Sequence, residues 1–421
     1  MRRHVFACVD CDNFYVSCER VFDARLARRA VVVLSNNDGC VISRSEEAKA
    51  LGVRMGAPYF RVRALCEREG VAVLSSNYAL YGDMSRRVME TLAEFTPGLD
   101  LYSIDEAFLD LSHLDGGELT EAAREIRATV ARWTGVPVSV GVARTKTLAK
   151  LGATVAKRSQ KSRGVVNLLD PRHADHALAR ASVRDVWNVG PRLARRLAAA
   201  GVETAAGLRE ADARAWRRRT SVSLERVIME LRGVSCIPLA ACGAARRSAV
   251  CSRSFGHPVE SLAELEEAVA YYASRAAEKI RRGGLAAGAL VVFLSTSRHG
   301  GEPRYSNSAA LPLAVPSSYT PELIGCARRG VERIYREGFR YKKAGVMLID
   351  LAPSAPAQGS MLDAVDRVRA ERLMRAVDAV NARMGAETLR FASSGYGRGW
   401  KMRRERCSPC YTTRWDELWK V

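Results

Sequence analysis

The sequence predicts a multidomain α+β protein, and three observations support this prediction. The chain has 421 residues, which is more than a single hydrophobic core usually supports. It is 48% hydrophobic and 27% charged, a composition that excludes wholly disordered and fibrous proteins. Strand-like and helix-like patterns alternate on both sides of an all-helical stretch, which favours separate α+β units over one continuous sheet.

The N-terminal part of the chain alternates short apolar strands with amphipathic helices. Strands are predicted at residues 4–9 and 31–35, and two more within 102–111 flank a tight acidic turn. Apolar residues at helical spacing predict helices at 45–51, 78–95, 119–133 and 146–155. This mixed order predicts an α+β unit that extends to about residue 165.

The remainder of the chain predicts a helical unit, a second α+β unit and a tail. Two short helices are expected around Val189-Gly190-Pro191 and Gly201-Val202, in a helical region that reaches residue 233. Beyond a polar stretch, strands are predicted at 250–255, 290–295 and 344–351 and a helix at 262–282. Residues 353–359 are rich in Ala, Pro, Ser and Gln, which predicts a linker before a helix at 364–384 and a basic tail.

Charge and composition point to an anionic partner. The chain carries 66 Lys and Arg against 46 Asp and Glu, a net charge of +20, which favours a nucleic acid. The apolar runs are shorter than the roughly 18 residues that span a bilayer, so we expect a soluble protein. Acidic residues follow the first strand too soon for a signal peptide, which predicts a cytoplasmic location. The eleven Cys are therefore expected to be reduced thiols.

Two pairs of carboxylates mark a possible metal site. Asp10 and Asp12 end the first predicted strand, and Asp105-Glu106 lies in the predicted acidic turn. Carboxylates held together need a divalent cation to stay ionised, and two such cations catalyse phosphoryl transfer in many enzymes. Taken alone, either dipeptide is more often an ordinary structural turn.

Six runs of sequence resemble a known family. Residues 10–19 read DCDNFYVSCE and residues 102–110 read YSIDEAFLD, and both are similar to the palm motifs of the Y-family translesion DNA polymerases. The runs VVVLSNNDGCV (31–41), AKALGV (48–53), CSRSFG (251–256) and YKKAGVM (341–347) resemble the UmuC-like branch of that family. The similarity covers nearly the whole chain and weakens after residue 353.

The resemblance implies both a function and an architecture. The function is template-directed insertion of deoxynucleotides opposite damaged bases by two-metal nucleotidyl transfer, error-prone and part of the SOS response. The architecture is a polymerase right hand with an α/β little finger. The implied domains are a palm (1–34 and 76–168), fingers (35–75), a thumb with a helix-hairpin-helix (169–240), a little finger (241–352) and a C-terminal partner-binding tail (353–421).

The resemblance also implies the residues of the metal site. Asp10, Asp105 and Glu106 match the catalytic metal ligands, and the carbonyl of Cys11 matches an additional oxygen ligand. The cofactor would be two Mg²⁺ ions, for which Mn²⁺ could substitute. Asp12 varies within the family and is expected to have a supporting role.

Nucleotide contacts follow from the same resemblance. Tyr15 matches the steric gate that excludes a 2′-hydroxyl, and Phe14 would pack behind it. Lys157 matches the lysine that contacts the triphosphate. Lys49 stands where many relatives have an arginine on these phosphates, but the usual tyrosine three positions earlier is Glu46, and Arg44 could compensate. The alternatives are an ordinary packed aromatic at Tyr15 and solvated helix-surface charges at Lys49 and Arg44.

DNA contacts are implied in the thumb and the little finger. A Gly-containing turn at a helix start offers free N–H groups to a backbone phosphate, and nearby arginines add charge. The implied DNA-binding residues are Gly190, Arg192, Arg195, Arg196 and Arg253. Gly-Pro also simply separates two helices, and Arg217 to Arg219 are best interpreted as a solvated face.

The resemblance implies primer–template DNA, deoxynucleoside triphosphates, a processed UmuD accessory dimer, the RecA filament and a sliding clamp as partners. The segment Gln358 to Leu362 resembles, in degraded form, the clamp-binding peptide of relatives, and its Gln, Met and Leu could still fill an apolar groove. Cys407 and Cys410 lack a second ligand pair for zinc and are expected to be free thiols.

Two alternatives remain at the level of the sequence. A strand that ends in Asp-x-Asp is also the nucleophile motif of haloacid dehalogenase phosphatases, although the charge of +20 and the second acidic pair fit that class less well. A catalytically silent, polymerase-like scaffold that binds DNA and recruits partners is the other.

Overall fold

The computed structural model describes residues 4–239, 246–297, 301, 303–354, 363 and 365–418. The chain divides into two compact units. The first unit takes the described parts of residues 1–35, 39–244 and 406–421, and the second takes those of 36–38 and 245–405.

In the described residues of the first unit there are two sheets, and helices cover them. Its strands are β1 (Phe6–Cys11), β2 (Val31–Leu34), β3 (Val41–Arg44), β4 (Ala72–Ser75), β5 (Leu99–Leu101), β6 (Glu106–Asp110), β7 (Val138–Ala143) and β8 (Val165–Asn167). Its helices are α1 (Phe14–Phe22), α2 (Glu46–Ala50), α3 (Tyr59–Arg68), α4 (Tyr78–Ala93), α5 (Leu119–Thr134), α6 (Lys146–Arg158), α7 (Pro171–Arg180), α8 (Pro191–Ala198), α9 (Ala205–Glu210), α10 (Ala213–Arg219) and α11 (Val222–Leu231).

Among the described residues the larger sheet has five strands in the order β5-β6-β1-β7-β8. β1 lies at its centre and pairs antiparallel with both β6 and β7. Every residue of β7 is buried, and so is nearly every residue of β1, because these strands lie inside the sheet with both faces covered. The smaller sheet has the order β3-β2-β4, and β2 and β4 are parallel.

Helix α6 packs unusually close to β7. A Cβ atom at Gly141 in β7 would overlap the backbone carbonyl of Ala149 and the backbone amide of Ala153 in α6. Thr145 caps the start of this helix, because its side chain accepts a hydrogen bond from the Leu148 amide. The fixed position of α6 matters because this helix carries the lysines of the candidate site.

The second unit, as far as its residues are described, consists of an antiparallel sheet and helices. Its strands are β9 (Ser248–Val259), β10 (Leu285–Thr296), β11 (Ser306–Ser317) and β12 (Tyr341–Pro353), in the order β11-β10-β12-β9. Its helices are α12 (Leu262–Arg281), α13 (Thr320–Ile334) and α14 (Arg367–Met384). Apolar residues of α12 and α13 form one core with the sheet.

The multidomain α+β prediction is confirmed, but the details of one hairpin were wrong. The first strand of the acidic hairpin is β5, which ends at Leu101, so residues 102–105 form the turn. The turn begins early because the amides of Tyr102 and Ser103 both donate to the carbonyl of Glu106. Consequently Glu106 is the first residue of β6 rather than part of the turn.

Candidate active site

The two acidic motifs meet at one end of the five-stranded sheet. The antiparallel register of β1 and β6 sets Asp10 opposite Glu106. One residue further, the amide of Cys11 donates a hydrogen bond of 2.9 Å to the carbonyl of Asp105. Pairing of central strands therefore brings together carboxylates that lie about 95 residues apart in the chain.

Two lysines of α6 neutralise this acidic end. Lys157 forms an ion pair with Asp10, and its Nζ also donates to the carbonyl of Cys11 at 3.0 Å. Lys150 forms an ion pair with Glu106. The resemblance pointed to Lys157 as a phosphate contact, whereas here it lies on a predicted metal ligand.

Lys150 was not predicted as a site residue, although its spacing from Lys157 indicates that it belongs there. Lys150 and Lys157 are seven residues apart, which puts them two turns apart on one face of a helix. A helix that presents one lysine to an acidic site presents the other there as well. Ser139 also joins the site, because its hydroxyl donates to Asp12 at 2.9 Å.

The pKa values of the two facing carboxyls move in opposite directions. Burial raises the pKa of Asp10, and the neighbouring Glu106 raises it further, although Lys157 opposes the shift. Burial also acts to raise the pKa of Glu106, but hydrogen bonds with Asp10 and Lys150 outweigh it, so that pKa is lowered. Two carboxyls with divergent pKa values need an added positive charge if both are to be ionised.

The carboxylate and carbonyl oxygens suit a hard divalent cation, but the three predicted carboxylates do not converge on one point. Within the described ranges, no group of three or more His, Cys, Asp or Glu lies close enough to hold a metal ion. The carboxylate of Asp105 instead accepts a hydrogen bond of 2.6 Å from the Ser103 hydroxyl. Carboxylate and carbonyl oxygens are still the ligands that Mg²⁺ prefers, so the residues present fit such an ion chemically.

An aromatic cluster lies next to the carboxylates. Tyr15 stacks on Tyr81 with ring centroids 4.5 Å apart, and Tyr78 packs edge-on against Tyr15 with ring centroids 6.2 Å apart. Burial raises the pKa of the Tyr15 hydroxyl, and among the charges that add to the shift is the carboxylate of Asp105. Phe14 is buried at 4% exposure and packs against Tyr15. The ring of Tyr15 is thus fixed beside the acidic motif.

The other predicted nucleotide contacts are held by local partners. Lys49 forms an ion pair of 2.5 Å with Glu46, the residue that replaces the usual tyrosine. Glu46 also accepts a hydrogen bond of 3.1 Å from the side chain of Asn13, directly before α1. Arg44 donates to the carbonyl of Val53, while its buried Nε has no hydrogen-bond partner among the described residues.

The candidate DNA contacts are exposed. Gly190 caps α8, and a Cβ atom there would meet open space. Arg192 and Arg195 are exposed on α8, whereas Arg196 donates to the carbonyl of Arg219 at 2.9 Å. Arg253 is exposed on β9 of the second unit.

Two remaining expectations concern thiols and the linker. Cys407 is exposed and Cys410 is partly buried. The segment Gln358 to Leu362 lies outside the described residues. Of the helices in the described part of the chain, none has both the length and the apolar character needed to cross a membrane.

Solved structures define the fold class. A chimera of the Y-family DNA polymerases Dbh and Dpo4 matches with a TM-score of 0.65 and 20% identity, covering 82% of this chain and 98% of the chimera. An insertion ternary complex of Dbh DNA polymerase matches with a TM-score of 0.58 and 18% identity, covering 82% and 98%. The fold is therefore that of a Y-family DNA polymerase.

Family models and curated relatives identify the family. The impB/mucB/samB family model matches residues 9–154, the C-terminal domain model of that family matches 246–361, and a domain of unknown function, DUF4113, matches 371–421. Protein UmuC of Salmonella typhimurium is 45% identical over 99% of this chain and 100% of its own length. Protein ImpB of Salmonella typhimurium and protein MucB of Escherichia coli are 42% and 40% identical, each over 98% of this chain and 99% of their own.

The chain belongs to the impB/mucB/samB family of Y-family DNA polymerases. It is a UmuC-like, DNA-directed DNA polymerase of error-prone translesion synthesis in the SOS response, as the resemblance predicted. The mechanism of this family implies a divalent metal. The comparisons give no support to a silent scaffold.

Proposed function

We propose that Asp10, Asp105 and Glu106, with the carbonyl of Cys11, hold two Mg²⁺ ions for nucleotidyl transfer, and that Mn²⁺ can substitute. One observation carries this proposal: the strand register that sets Asp10 opposite Glu106, with Cys11 hydrogen-bonded to Asp105. The bound ions would activate the primer 3′-hydroxyl and stabilise the leaving pyrophosphate.

The lysines of α6 have a defined part in this proposal. Lys157 and Lys150 now neutralise Asp10 and Glu106. A divalent ion on these carboxylates would repel both ammonium groups, which would free them for the triphosphate of an incoming nucleotide. Lys49 and Arg44 would extend these phosphate contacts.

Tyr15 is proposed as the residue that selects the sugar. Its ring is held by stacking on Tyr81, with buried Phe14 beside it. A ring fixed in this way blocks the space that a 2′-hydroxyl would need, so deoxynucleotides are accepted and ribonucleotides are excluded.

We propose the domain boundaries that the resemblance implied. The palm comprises 1–34 and 76–168, the fingers 35–75, the thumb 169–240, the little finger 241–352 and the tail 353–421. Primer–template DNA would contact the α8 region through Gly190 and the arginines at 192, 195 and 196, and the little finger through Arg253. These exposed groups suit phosphate contacts.

The proposed partners are deoxynucleoside triphosphates, a processed UmuD dimer, the RecA filament and a sliding clamp. Their support is the 45% identity to a UmuC protein over the full length of that relative. Action on DNA supports a cytoplasmic location.

Primer extension tests the proposed metal ligands. The assay measures single-nucleotide incorporation on an undamaged template and opposite an abasic site, with the accessory proteins and Mg²⁺ present. Asp105→Asn should reduce incorporation at least about a hundredfold, because a lost metal ligand removes several kcal/mol of transition-state stabilisation.

Asp115→Asn is the matched control, because Asp115 is an exposed carboxylate in a turn away from both motifs. This variant should extend primers as the wild type does. Equal incorporation by Asp105→Asn and the wild type would reject the proposed ligands.

A further inference from the structure

The C-terminal segment 406–411, which we call the strap, packs against the first unit. The amide of Ser75 donates to the carbonyl of Arg406 at 2.9 Å, and the amide of Arg406 donates to the Ser75 hydroxyl at 3.0 Å. Ser75 and Cys407 form a parallel β-bridge. The strap therefore continues the three-stranded sheet beyond its edge strand β4.

The strap is then fixed to two helices of that unit. The guanidinium of Arg406 donates to the Tyr59 hydroxyl of α3 at 2.7 Å and lies over its ring. The side-chain amide of Asn77, at the start of α4, donates to the carbonyls of Ser408 and Pro409, each at 3.1 Å. These contacts define the path of the strap residue by residue.

A hydroxyl of the strap reaches a buried carboxylate. Ser408 donates from Oγ to Oε1 of Glu19 at 3.0 Å, and the Tyr81 hydroxyl donates to the same oxygen at 2.6 Å. Glu19 is 1% exposed, so these two hydroxyls replace water as its donors. Loss of one donor would leave a buried carboxylate under-solvated, which is costly.

The same helix is held at a second point by an aromatic contact. Tyr411 of the strap stacks on Phe22 with ring centroids 5.0 Å apart and an interplanar angle of 11°. Tyr15, Glu19 and Phe22 are spaced by four and three residues and therefore lie along one face of α1. The strap contacts two of these three residues, and Tyr81 links Glu19 to the third by its stacking on Tyr15.

We propose that the strap positions the sugar-selecting Tyr15 through Ser408, Glu19 and Tyr81. Ser408 is a positioning residue in this proposal, because it does not touch Tyr15 itself. The inference rests on the proposed role of Tyr15 as steric gate. It assigns part of the region that matches the DUF4113 model to the accuracy of nucleotide selection.

The test measures sugar discrimination, the ratio of kcat/KM for a deoxynucleotide to that for the matching ribonucleotide. Ser408→Ala in the full chain should lower this ratio about three- to tenfold, mainly by faster ribonucleotide insertion. Tyr81→Phe should have a similar effect, because it keeps the stacked ring and removes the other donor to Glu19. Ser408→Thr retains a hydroxyl and should restore discrimination.

Two further variants separate positioning from general packing. Trp415→Ala alters a side chain of the same tail that is 92% exposed and should leave the ratio unchanged. In the double variant Tyr15→Ala/Ser408→Ala, discrimination should equal that of Tyr15→Ala alone, because Ser408 acts only through the Tyr15 ring.

The outcomes are distinguishable. If Tyr15→Ala abolishes discrimination while Ser408→Ala and Tyr81→Phe slow both nucleotides equally, the strap only packs and this inference is overturned. If Tyr15→Ala itself leaves discrimination intact, the gate proposal fails and the inference fails with it. Should Ser408→Ala not fold, the result with Tyr81→Phe decides.

Discussion

At the acidic end of the five-stranded sheet, the negative charges of two carboxylates are offset by neighbouring lysines. Asp10 and Glu106 face each other with side chains 14% and 15% exposed, and a lysine pairs with each of them. Two partly buried carboxylates this close would repel strongly without those cations. The lysines of α6 therefore offset the charge of both carboxylates.

Lys150→Ala is expected to alter the pH dependence of incorporation. Lys150 helps to hold the pKa of Glu106 below its usual range, so its removal raises that pKa and less Glu106 is ionised at low pH. The acid limb of the kcat/KM profile should then move to higher pH. The loss relative to the wild type should therefore grow as the pH falls through the acid limb and be smaller on the alkaline side.

Lys150→Arg supplies the control, since it keeps a positive charge beside Glu106, and its profile should stay near that of the wild type. Identical acid limbs for Lys150→Ala and the wild type would show that Lys150 does not influence the ionisation of Glu106.

Among single residues, the acidic residues of the site were easier to predict from the sequence than the lysine and serine that contact acidic residues. Asp10 and Glu106 could be assigned because strand patterns and family motifs both marked them. Lys150 could have been found only from its seven-residue spacing to Lys157. The hydrogen bond between Ser408 and Glu19 joins residues that are 389 positions apart in the chain. It depends on where the tail packs, and a local sequence pattern does not reveal that position.

At the scale of elements, the contact of β7 with α6 determines where both lysines lie. Gly141 permits the approach, because any side chain there would overlap helix backbone rather than a movable side chain. Backbone cannot give way without displacing the helix, so this glycine is required by packing.

Gly141→Ala should therefore destabilise the protein by at least about 3 kcal/mol, the upper range for overpacking. Urea unfolding of the first unit, followed by far-UV circular dichroism, measures this change. The Lys150 and Lys157 contacts should be disturbed as well, so incorporation should fall even at temperatures where the variant remains folded.

Gly82→Ala is the matched control for this substitution. Gly82 lies inside α4, and a Cβ atom there meets nothing within 4 Å. Alanine in a helix interior should stabilise by about 0.5–1 kcal/mol. If Gly141→Ala lowered the free energy of unfolding by no more than about 0.5 kcal/mol, the size of an ordinary helix-propensity effect, the close packing of β7 on α6 would be contradicted.

Helices with a strong apolar periodicity were predicted well, whereas a strand whose ends depend on its hydrogen-bonding partners was predicted poorly. Helices α4 and α5 lie within two residues of their predicted ends. Strand β5 was missed because the turn that follows it is closed by hydrogen bonds from Tyr102 and Ser103 to Glu106, which the alternation pattern does not reveal.

At the scale of the whole molecule, the net charge of +20 was an early and correct indicator of an anionic substrate. Its distribution was harder to predict. Arg217, for example, pairs with Glu225 at 2.9 Å and belongs to a solvated, ion-paired face, whereas Arg192 and Arg195 project from α8 into solvent.

DNA binding should depend steeply on salt, and the double variant Arg192→Ala/Arg195→Ala should reduce that dependence. Loss of two phosphate contacts lowers the slope of log K against log salt by about 2, because each contact releases roughly one counterion. Fluorescence anisotropy with a labelled primer–template, measured over a series of salt concentrations, gives the slope.

Arg63→Ala/Arg86→Ala removes the same charge from arginines that are already ion-paired within helices α3 and α4. This control should leave the slope close to that of the wild type. An equal fall in slope for both double variants would mean that general charge, rather than the α8 surface, contacts the DNA.

Acids from two distant motifs are expected to bind divalent cations jointly. Electron paramagnetic resonance of Mn²⁺ can count these ions in the wild-type polymerase with a dideoxy-terminated primer–template and the matching nucleotide. We expect about two bound ions per chain. At least one should be lost in Asp10→Asn and in Glu106→Gln but not in Asp115→Asn. Unchanged Mn²⁺ number and affinity in both carboxylate variants would contradict the account.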